Sequence, residues 1–394
     1  MAKKDNHPPI GLLGAAPIAA DRPTEIDAPK RPVYFRHDFD ITGAIISARL
    51  YITALGIYEA EINGDLVGDR VLAPGWQSYD FRHVYDTYDV TDHLATGNNA
   101  IGVIVAEGWY AGRMSHQGGV RNIWGDTLGV LALLTVTTED GMQQFETTTY
   151  GWRASLGPII KSEIYNGEKY DARQELGQGW SSPGFDDSDW LAVQQLPALK
   201  GRLPPADGPP VRKLEEIKPI SVFKSPSGKN IVDFGQNLVG WLHLNLTGQS
   251  STNITLHRAE VLEAGELALA PLRNASAVDQ LLLPVDSDLK IWEPRFTFHG
   301  FRFAQVDGFD PSLDPNSVVA VVVHSDMEQT GWFECSNPLL NKLHSNIRWS
   351  IKGNFLSVPM DCPQRDERLG WTGDAHNFGT TADYLYNTAG FWRG

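Results

Sequence analysis

The sequence predicts a multidomain, mainly β protein whose last segment is helical, and three observations support this prediction. Short alternating segments such as Ala48–Thr53 and Ala100–Ala106 recur at roughly ten-residue spacing, with turn pairs such as Asn63-Gly64 between them. A proline-rich, charged stretch at 198–219 separates two such β-rich regions. After residue 329 the hydrophobic period changes from two to about 3.6 residues. A chain of 394 residues can bury a core in each of two or three domains.

The first β-rich region covers 31–197, and its evenly spaced short strands predict a β-sandwich. The predicted strands are Tyr34–Phe39, Ala48–Thr53, Tyr58–Ile62, Tyr85–Val90, Ala100–Ala106, Leu128–Thr137 and Gln144–Thr149. The residues before this region, 1–30, begin with basic residues, and prolines interrupt their short apolar run. Because secretory signal peptides have a continuous apolar run, we expect a disordered tail and a cytoplasmic protein.

An accessory ligand site is one interpretation of the loops in this first region. Trp76, Tyr79 and Trp109 could stack on a sugar, and the candidate polar ligands are Glu163, Asn166, Glu168 and Asp171. These few oxygen ligands leave calcium possible there, although Ca²⁺ takes six to eight. The alternative is that Tyr165, Tyr170, Trp180 and Trp190 pack against a sheet while the acids face water.

A second β unit follows the predicted linker and covers 220–328. Its predicted strands are Asn230–Phe234, Gly240–Leu246, Asn253–Ala259, Asp279–Leu283, Trp292–Thr297 and Arg302–Val306. The histidines of this region, His243, His257 and His299, lack the spacing of metal ligands, so we interpret them as structural.

The last segment, 329–394, begins with a helix. Asn337 and Pro338 form a cap and first turn, and Leu340, Leu343, Ile347 and Ile351 recur at helical spacing up to Gly353. We expect this apolar stripe to face a core. A second helix is predicted over 375–386, and a third begins near residue 388.

Bulk composition excludes several classes of function. The net charge of -15 argues against nucleic acid or an anionic membrane as a partner, because phosphate binding needs a basic surface. No segment approaches the roughly twenty apolar residues of a membrane span. Two cysteines, Cys335 and Cys362, are too few for a disulfide framework. An uncharged ligand such as a glycan is compatible with this composition.

The segment DCPQRDERLGWTGD, Asp361 to Asp374, concentrates the chemistry of the chain. Four carboxylates lie beside two arginines and a tryptophan, with proline and glycine interrupting regular structure. Clustered acids beside an aromatic ring suit a sugar-cleaving site, which needs a proton donor and a stacking surface. A salt-bridged surface loop is the alternative on residue types alone.

This segment and its flanks, TGWFECSNPLLNKLHSNIRWSIKGNFLSVPM and AHNFGTTADYLYNTAGFWR, resemble the start of the catalytic domain of bacterial α-L-rhamnosidases of glycoside hydrolase family 78. A segment near the start of the chain is similar to the family's N-terminal jelly-roll module, which resembles carbohydrate-binding modules. Its sequence is LYITALGIYEAEINGDLVGDRVLAPGWQSYDFRHVYDTYDVTD. VDFGQNLVGWLHLNL and EPRFTFHGFRFAQVDG are similar to the family's second β-sandwich domain. The resemblance therefore implies two jelly-roll-like β-sandwich domains followed by the first helices of an (α/α)6 barrel.

The resemblance also implies an inverting hydrolysis of terminal α-L-rhamnose from plant glycosides or polysaccharides, with no cofactor required. By position in the motif, Glu367 is the general acid, and we expect burial and neighbouring carboxylates to raise its pKa. Asp361 and Asp374 match rhamnose-contacting acids, Trp371 matches an aromatic pocket wall, and Arg365 and Asp366 complete the expected substrate-binding set. The family's general base would lie beyond Gly394.

Because the 329–394 segment provides only two or three helices, we expect the chain to be a fragment, a truncated gene product or one piece of a longer polypeptide. The remainder of the barrel or another copy of the chain would then cover the exposed stripe. Two other functions stay open. One is a non-catalytic carbohydrate-binding protein derived from a rhamnosidase, and the other is a related inverting glycosidase acting on a different sugar.

Overall fold

The computed structural model describes residues 16–177, 179–247, 252–310 and 314–393, and these fold into β-sheets with three helices near the C-terminal end. The strands are β1 (Ile18–Ala20), β2 (Val33–Ile41), β3 (Ile45–Leu55), β4 (Ile57–Ile62), β5 (Asp65–Leu66), β6 (Asp86–Asp89), β7 (Gly97–Ala106), β8 (Gly129–Thr138), β9 (Gly141–Glu146), β10 (Arg153–Leu156), β11 (Ile159–Glu163), β12 (Gly167–Asp171), β13 (Val193–Gln195), β14 (Val211–Ile217), β15 (Ser221–Lys224), β16 (Asn230–Asn245), β17 (Asn253–Ala259), β18 (Leu262–Glu263), β19 (Glu266–Leu267), β20 (Val278–Leu282), β21 (Ile291–Trp292), β22 (His299–Asp307), β23 (Val318–Ser325), β24 (Phe355–Leu356) and β25 (Val358–Pro359). The helices are α1 (Gly108–Ala111), α2 (Pro338–Asn354), α3 (Thr372–Leu385) and α4 (Ala389–Arg393). None of the helices in the described residues is long and apolar enough to cross a membrane.

The chain forms two compact units. The first contains residues up to 112 together with 121–160 and 174–206, and the second contains 113–120, 161–173 and 207–394. The mainly β architecture with C-terminal helices confirms the predicted fold class. The division does not coincide with the predicted domains, because residues 113–120 and 161–173 of the predicted first β region belong to the second unit.

The first unit is a sandwich of two sheets. One sheet has the order β13-β1-β8-β3-β6, with β9 also paired to β8, and the other has the order β10-β2-β7-β4-β5. Alternate residues of each central strand point inward, such as Leu50 and Ile52 on β3 and Val103 and Val105 on β7, all fully buried in one cluster. This period of two explains why alternating apolar and polar residues in the sequence predicted strands in this region.

Two segments predicted to lack structure contain strands. Within the predicted 1–30 tail, β1 is buried and pairs with β13 and β8, while residues 1–15 lie outside the described residues. Within the predicted 198–219 linker, β14 pairs with β23 along the edge of the second sheet. This edge strand is mostly exposed, and four of the seven residues in its sequence, VRKLEEI, are charged. The charged composition is also typical of a linker, which is why the strand was not predicted.

The second unit is built on one ten-stranded sheet with the order β11-β12-β20-β17-β22-β16-β23-β14, and β15 and β21 pair with β16. The predicted strands 230–234 and 240–246 are joined in the sixteen-residue β16, which pairs with β22 over its first part and with β23 over its last. β23, VVAVVVHS, is buried at all eight positions. Its continuous hydrophobic run has no alternation, which is typical of a strand covered on both faces.

Helix α2 packs against β16 and β23. Its predicted start is confirmed, since the Asn337 side chain accepts a hydrogen bond from Leu339 N and proline occupies the first turn. Ile351 is buried with residues of α3 and α4, whereas Leu340 and Leu343 are 46% and 53% exposed. Among the described residues, the apolar stripe is therefore covered only in its C-terminal half, and the exposure of Leu340 and Leu343 matches the expectation that other residues would have to cover the stripe.

Candidate active site

The acidic segment identified in the sequence forms an irregular loop between the β24–β25 hairpin and helix α3. Two hydrogen bonds close the base of this loop: Asp361 N donates to Leu369 O at 3.1 Å, and Leu369 N donates to the Asp361 side chain at 2.8 Å. Trp371 then caps α3 with extended backbone angles. Residues 362–368 therefore project as one closed loop, which we call the acid loop.

Arg368 anchors the acid loop from inside. Its side chain is fully buried, and its guanidinium donates hydrogen bonds to four main-chain carbonyls, those of Ile164, Phe298, Gln364 and Arg365, at 2.7 to 3.2 Å. The guanidinium also lies over the rings of Tyr165 and Phe298. Burial lowers the pKa of Arg368 to about 10, so it remains charged at neutral pH.

Asp366 is also fully buried, and it joins the acid loop to two other segments of the second unit. One oxygen accepts from Gly118 N at 2.9 Å and from Asn274 Nδ2 at 3.1 Å, and the other accepts from Asn274 N at 3.4 Å. Burial would raise the pKa of Asp366, but these donors outweigh it and the pKa lies below its usual value. Its oxygens thus bind the protein's own N–H groups, so a positioning role fits this geometry better than the predicted contact with substrate.

Glu367 lies at the tip of the acid loop with strained backbone geometry. Its φ is 140° and that of Arg368 is 47°, values that L residues adopt rarely. The Tyr165 hydroxyl donates to the Glu367 main-chain carbonyl. Such a conformation persists only where the surroundings enforce it, and here the contacts of Arg368, Asp366 and Tyr165 do so.

Three side chains hold the Glu367 carboxylate. Oε1 accepts from Trp371 Nε1 at 3.0 Å, while Oε2 accepts from Arg273 Nη1 at 2.9 Å and from Arg365 Nε and Nη2 at 3.2 and 3.1 Å. Desolvation would raise the pKa of this carboxyl, but the hydrogen bonds from Trp371 and Arg365, the Arg365 charge and the Arg273 bond outweigh it. The pKa of Glu367 is therefore lowered. The prediction of a raised pKa was wrong for this chain, because the hydrogen bonds from Trp371 and Arg365 outweigh the effect of desolvation.

Two of the predicted substrate-binding residues, Asp361 and Asp374, line a cavity of about 360 Å³, to which Phe378 also contributes. Asp374 is exposed in the first turn of α3, and Trp371 is 45% exposed, so its ring remains accessible despite its bond to Glu367. Arg365 also donates to Asp361 at 3.0 Å and so links two of the predicted acids. The loop thus brings Asp361, Arg365, Glu367 and Trp371 together, and Asp374 lines the same cavity as Asp361.

A metal ion does not suit the acid loop. Ligand atoms of Asp361, Cys362 and Glu367 lie within 4.8 Å of one another, and this is the single such group of three among the described residues. The cation of Arg365 already contacts both carboxylates. Burial raises the pKa of the Cys362 thiol to about 12, so it is protonated and a poor ligand. Both cysteines are free.

The predicted accessory polar ligands do not converge in the described residues. The alternative interpretation predicted that the acids face water, but Glu163, Glu168 and Asp171 are buried. Glu168 accepts from Ser162 Oγ at 3.0 Å and from Arg295 N at 3.2 Å, and Asn166 donates to Glu163 at 3.0 Å. They belong to β11, β12 and the turn between them, which are part of the large sheet. Their positions fit a structural role more closely than a calcium site.

The aromatic residues proposed for that accessory site pack in the interior of the first unit. Trp109 is 0% exposed and Tyr79 is 3% exposed. The Trp76 ring stacks on that of Trp109 at 6.4 Å between centroids. Stacking inside the protein occupies the ring faces that a sugar would use.

Sequence reasoning missed four residues that shape the acid loop, namely Gly118, Tyr165, Arg273 and Asn274. They come from segments about 90 to 250 positions before the acid loop. No local pattern marks them, since their side chains and N–H groups act only through long-range folding.

Comparisons with known proteins agree with the motif. Residues 43–215 match the family model described as the α-L-rhamnosidase N-terminal domain, residues 223–324 match the bacterial α-L-rhamnosidase concanavalin-like domain, and residues 328–394 match the bacterial α-L-rhamnosidase 6 hairpin glycosidase domain.

Three relatives cover most of this chain. An α-L-rhamnosidase of Streptomyces avermitilis is 45% identical over 360 residues, which is 90% of this chain and 34% of that protein. The crystal structure of native α-L-rhamnosidase from Aspergillus terreus is 56% identical with a TM-score of 0.94, over 98% of this chain and 45% of that one. The S. avermitilis α-L-rhamnosidase structure in complex with L-rhamnose is 42% identical with a TM-score of 0.88, over 93% of this chain and 36% of that one. The chain therefore spans between about a third and just under half of these relatives.

Proposed function

Because the chain belongs to the bacterial α-L-rhamnosidase family, we propose that it supplies the general acid and part of the sugar-binding wall of an inverting α-L-rhamnosidase. The observation that carries this proposal is the acid loop, where Glu367 is fixed beside Trp371 and Asp361, and Asp361 lines an open cavity. A rhamnosylated glycoside or polysaccharide is the proposed substrate.

In the proposed reaction, protonated Glu367 donates its proton to the glycosidic oxygen as the bond from that oxygen to the anomeric carbon of rhamnose breaks. A water molecule, activated by a second carboxylate, adds to the opposite face of the sugar. In inverting enzymes the two carboxyl groups stand about 6.5 to 9.5 Å apart, which leaves room for that water. No residue of this chain is assigned as the base.

The other residues of the loop orient the sugar. Asp361 and Asp374 border the cavity with carboxylate oxygens that can accept hydrogen bonds from ring hydroxyls. The exposed face of Trp371 offers an apolar surface to the C6 methyl side of rhamnose. The lowered pKa means that the Glu367 carboxyl is ionised in the resting state, so it must take up a proton before it can act as an acid. The fraction of molecules with this carboxyl protonated falls as pH rises.

The test is hydrolysis of p-nitrophenyl α-L-rhamnopyranoside, measured for this chain and for a polypeptide that also carries the rest of the six-hairpin domain, beside other nitrophenyl glycosides. In the longer polypeptide, Glu367→Gln should lower kcat by about 10² to 10⁴-fold, because the amide cannot donate the proton. Binding of L-rhamnose should change little, since the amide keeps the size of the side chain.

The matched control is Glu334→Gln, which removes an exposed carboxylate from the start of the same segment. It should leave the rate unchanged. Equal rates for the two variants would remove Glu367 from the role of acid. Hydrolysis of another glycoside in preference to the rhamnoside would reject the proposed substrate. Stabilisation of this chain by L-rhamnose without hydrolysis would identify a binding function for residues 1–394 alone.

A further inference from the structure

Arg273 reaches the acid loop from a turn between the small β18–β19 hairpin and strand β20 of the large sheet. This turn lies between β19 and β20 and contains a short 3₁₀ helix, Ala270–Leu272. Arg273 Nη1 donates to Glu367 Oε2 at 2.9 Å. Its side chain is 49% exposed, whereas that of Glu367 is 15% exposed. The contact therefore joins a half-solvated cation to a more enclosed carboxylate.

The turn is fixed in a way that aims Arg273 at Glu367. On one side Leu272 is buried, and on the other Asn274 gives both its main-chain N–H and its side-chain amide to Asp366. Ser276 N then donates to Asn166 Oδ1 at 3.1 Å. Arg273 itself has φ of 54° and ψ of -113°, a strained conformation that these flanking contacts hold. The turn is thus attached to the acid loop through Asp366, the residue next to Glu367.

The three donors to Glu367 differ in how tightly they are held. Arg365 reaches Oε2 with two nitrogens and is bound to Asp361 as well, and Trp371 belongs to the capping turn of α3. Arg273 contacts the carboxylate with one nitrogen and is the more exposed of the two arginines. A carboxyl that gains a proton attracts a cation less, so we expect the single-nitrogen contact of the more solvated arginine to break first.

We propose that Arg273 is a positioning residue for Glu367: its guanidinium holds the carboxylate in the resting protein and leaves it when the carboxyl binds a proton from solvent. The inference rests on the proposed role of Glu367 as general acid. No bond other than that O–H forms in this step, and Arg273 keeps its own charge. With Arg273 released toward solvent, the protonated oxygen is free to face the leaving-group oxygen of the glycoside.

The charges that face Glu367 come from two directions. From the Asp361–Asp374 segment come the charges of Arg365 and Asp361, beside the uncharged Cys362 thiol, and from the turn before β20 comes Arg273. Asp366 and Arg368 flank it in the chain but direct their side chains to main-chain and amide partners. Arg273 is therefore the cation whose removal changes the field at Glu367 without disturbing the loop's own bonds.

Trp371 provides a direct readout in the 394-residue chain, because its indole N–H is bonded to Glu367. The chain is labelled with 5-fluorotryptophan, and the Trp371 fluorine resonance is assigned by its loss in Trp371→Phe. Its chemical shift is followed against pH, and the titration should vanish in Glu367→Gln. In Arg273→Gln the midpoint should rise, with proton affinity increasing about threefold, as expected for loss of a half-exposed opposite charge.

Two further variants separate charge from structure. Arg273→Lys keeps the cation and should stay close to the wild-type midpoint. Arg302→Gln removes a guanidinium of similar exposure from its pair with Asp233, elsewhere in the second unit, and should not move the Trp371 titration. An unchanged midpoint in Arg273→Gln, or an equal shift in Arg302→Gln, would overturn the inference.

The released state is tested by kinetics in the polypeptide that carries the rest of the six-hairpin domain. In the plot of kcat/KM against pH, the midpoint of the basic limb should move to higher pH in Arg273→Gln. The increase in pH should equal the increase in the midpoint of the Trp371 titration. A shifted titration with an unmoved limb would refute release before sugar cleavage. Absence of rhamnoside hydrolysis in the wild type would instead refute the proposed function, while the fluorine titration would still decide whether Arg273 controls Glu367.

Discussion

Replacement of Arg368 by methionine gives the sharpest test of how the acid loop is held. Methionine has a similar length and fills the same space, but it cannot donate to the carbonyls of Ile164, Phe298, Gln364 and Arg365. Each charge-assisted hydrogen bond is worth about 1.5 to 3 kcal/mol, so the four together give a gross loss of about 6 to 12 kcal/mol. Removing a buried cation recovers several kcal/mol of desolvation. The net cost expected for the acid loop is therefore about 3 to 5 kcal/mol.

The loss of local stability in the acid loop can be measured by hydrogen exchange with mass spectrometry, on peptides covering residues 355–371. A free energy of about 4 kcal/mol corresponds to roughly a thousandfold faster exchange by local opening. Peptides from β8 in the first unit should exchange at the wild-type rate and serve as the internal control. As the matched variant, Arg302→Met removes a partly exposed arginine bound to Asp233 and should cost about 1 kcal/mol or less. Equal protection of the 355–371 peptides in wild type and Arg368→Met would refute the reasoning, because the carbonyls would then not depend on the guanidinium.

Two further predictions concern stability. Burial and the charge of Asp279 raise the pKa of the Glu168 carboxyl from 4.5 to about 8. Between these pH values the folded protein keeps the proton while the unfolded chain loses it. The free energy of unfolding of the wild type should therefore fall as pH rises through this range, by at most about 1.4 kcal/mol per pH unit. Glu168→Gln should remove this slope in thermal melts, while the exposed Glu263→Gln should keep it; a parallel slope in both variants would assign the effect elsewhere. Ile351→Ala should cost about 2 to 4 kcal/mol because Ile351 is 1% exposed, whereas Leu343→Ser in the same helix should cost less than about 1 kcal/mol in urea titrations of this chain. Similar costs would mean that Leu343 is covered in solution.

The elements that the sequence predicted well are those whose pattern is local. Strand β3 alternates between buried and more exposed residues from Ser47 to Ile52, and helix α2 carries its cap and first-turn proline in adjacent residues. β23 and β14 were missed for opposite reasons, since one is hydrophobic throughout and the other is mostly charged. Neither shows the alternation that identifies a strand with one buried face.

The candidate site was predictable only in part for a related reason. The acid loop is contiguous, so its residue types could be interpreted together, and the structure brings Asp361, Glu367 and Trp371 close together. The pKa of Glu367 is lowered first by the hydrogen bonds from Trp371 and Arg365, and last by the bond from Arg273, which is 94 positions away in the chain. A sequence shows that Trp371 and Arg365 are near Glu367 along the chain, but not that their N–H groups point at its carboxylate. The predicted direction of the pKa shift was wrong because these bonds outweigh desolvation.

The geometry of the proposed catalytic acid therefore depends on residues outside the helical segment that contains it. The strained backbone at Glu367 and Arg368 is supported by carbonyls of Ile164 and Phe298 and by donors from the turns at 113–120 and 273–277. All of these belong to the second unit. A polypeptide beginning at residue 329 would keep every residue of the family motif and yet lack these partners. Without them the buried charge of Arg368 would have two acceptors instead of four, so the acid loop would relax to unstrained angles and Glu367 would lose its fixed position. The β-sheet of the second unit is thus part of the proposed active site, and Arg273 shows that its contribution includes electrostatics as well as packing.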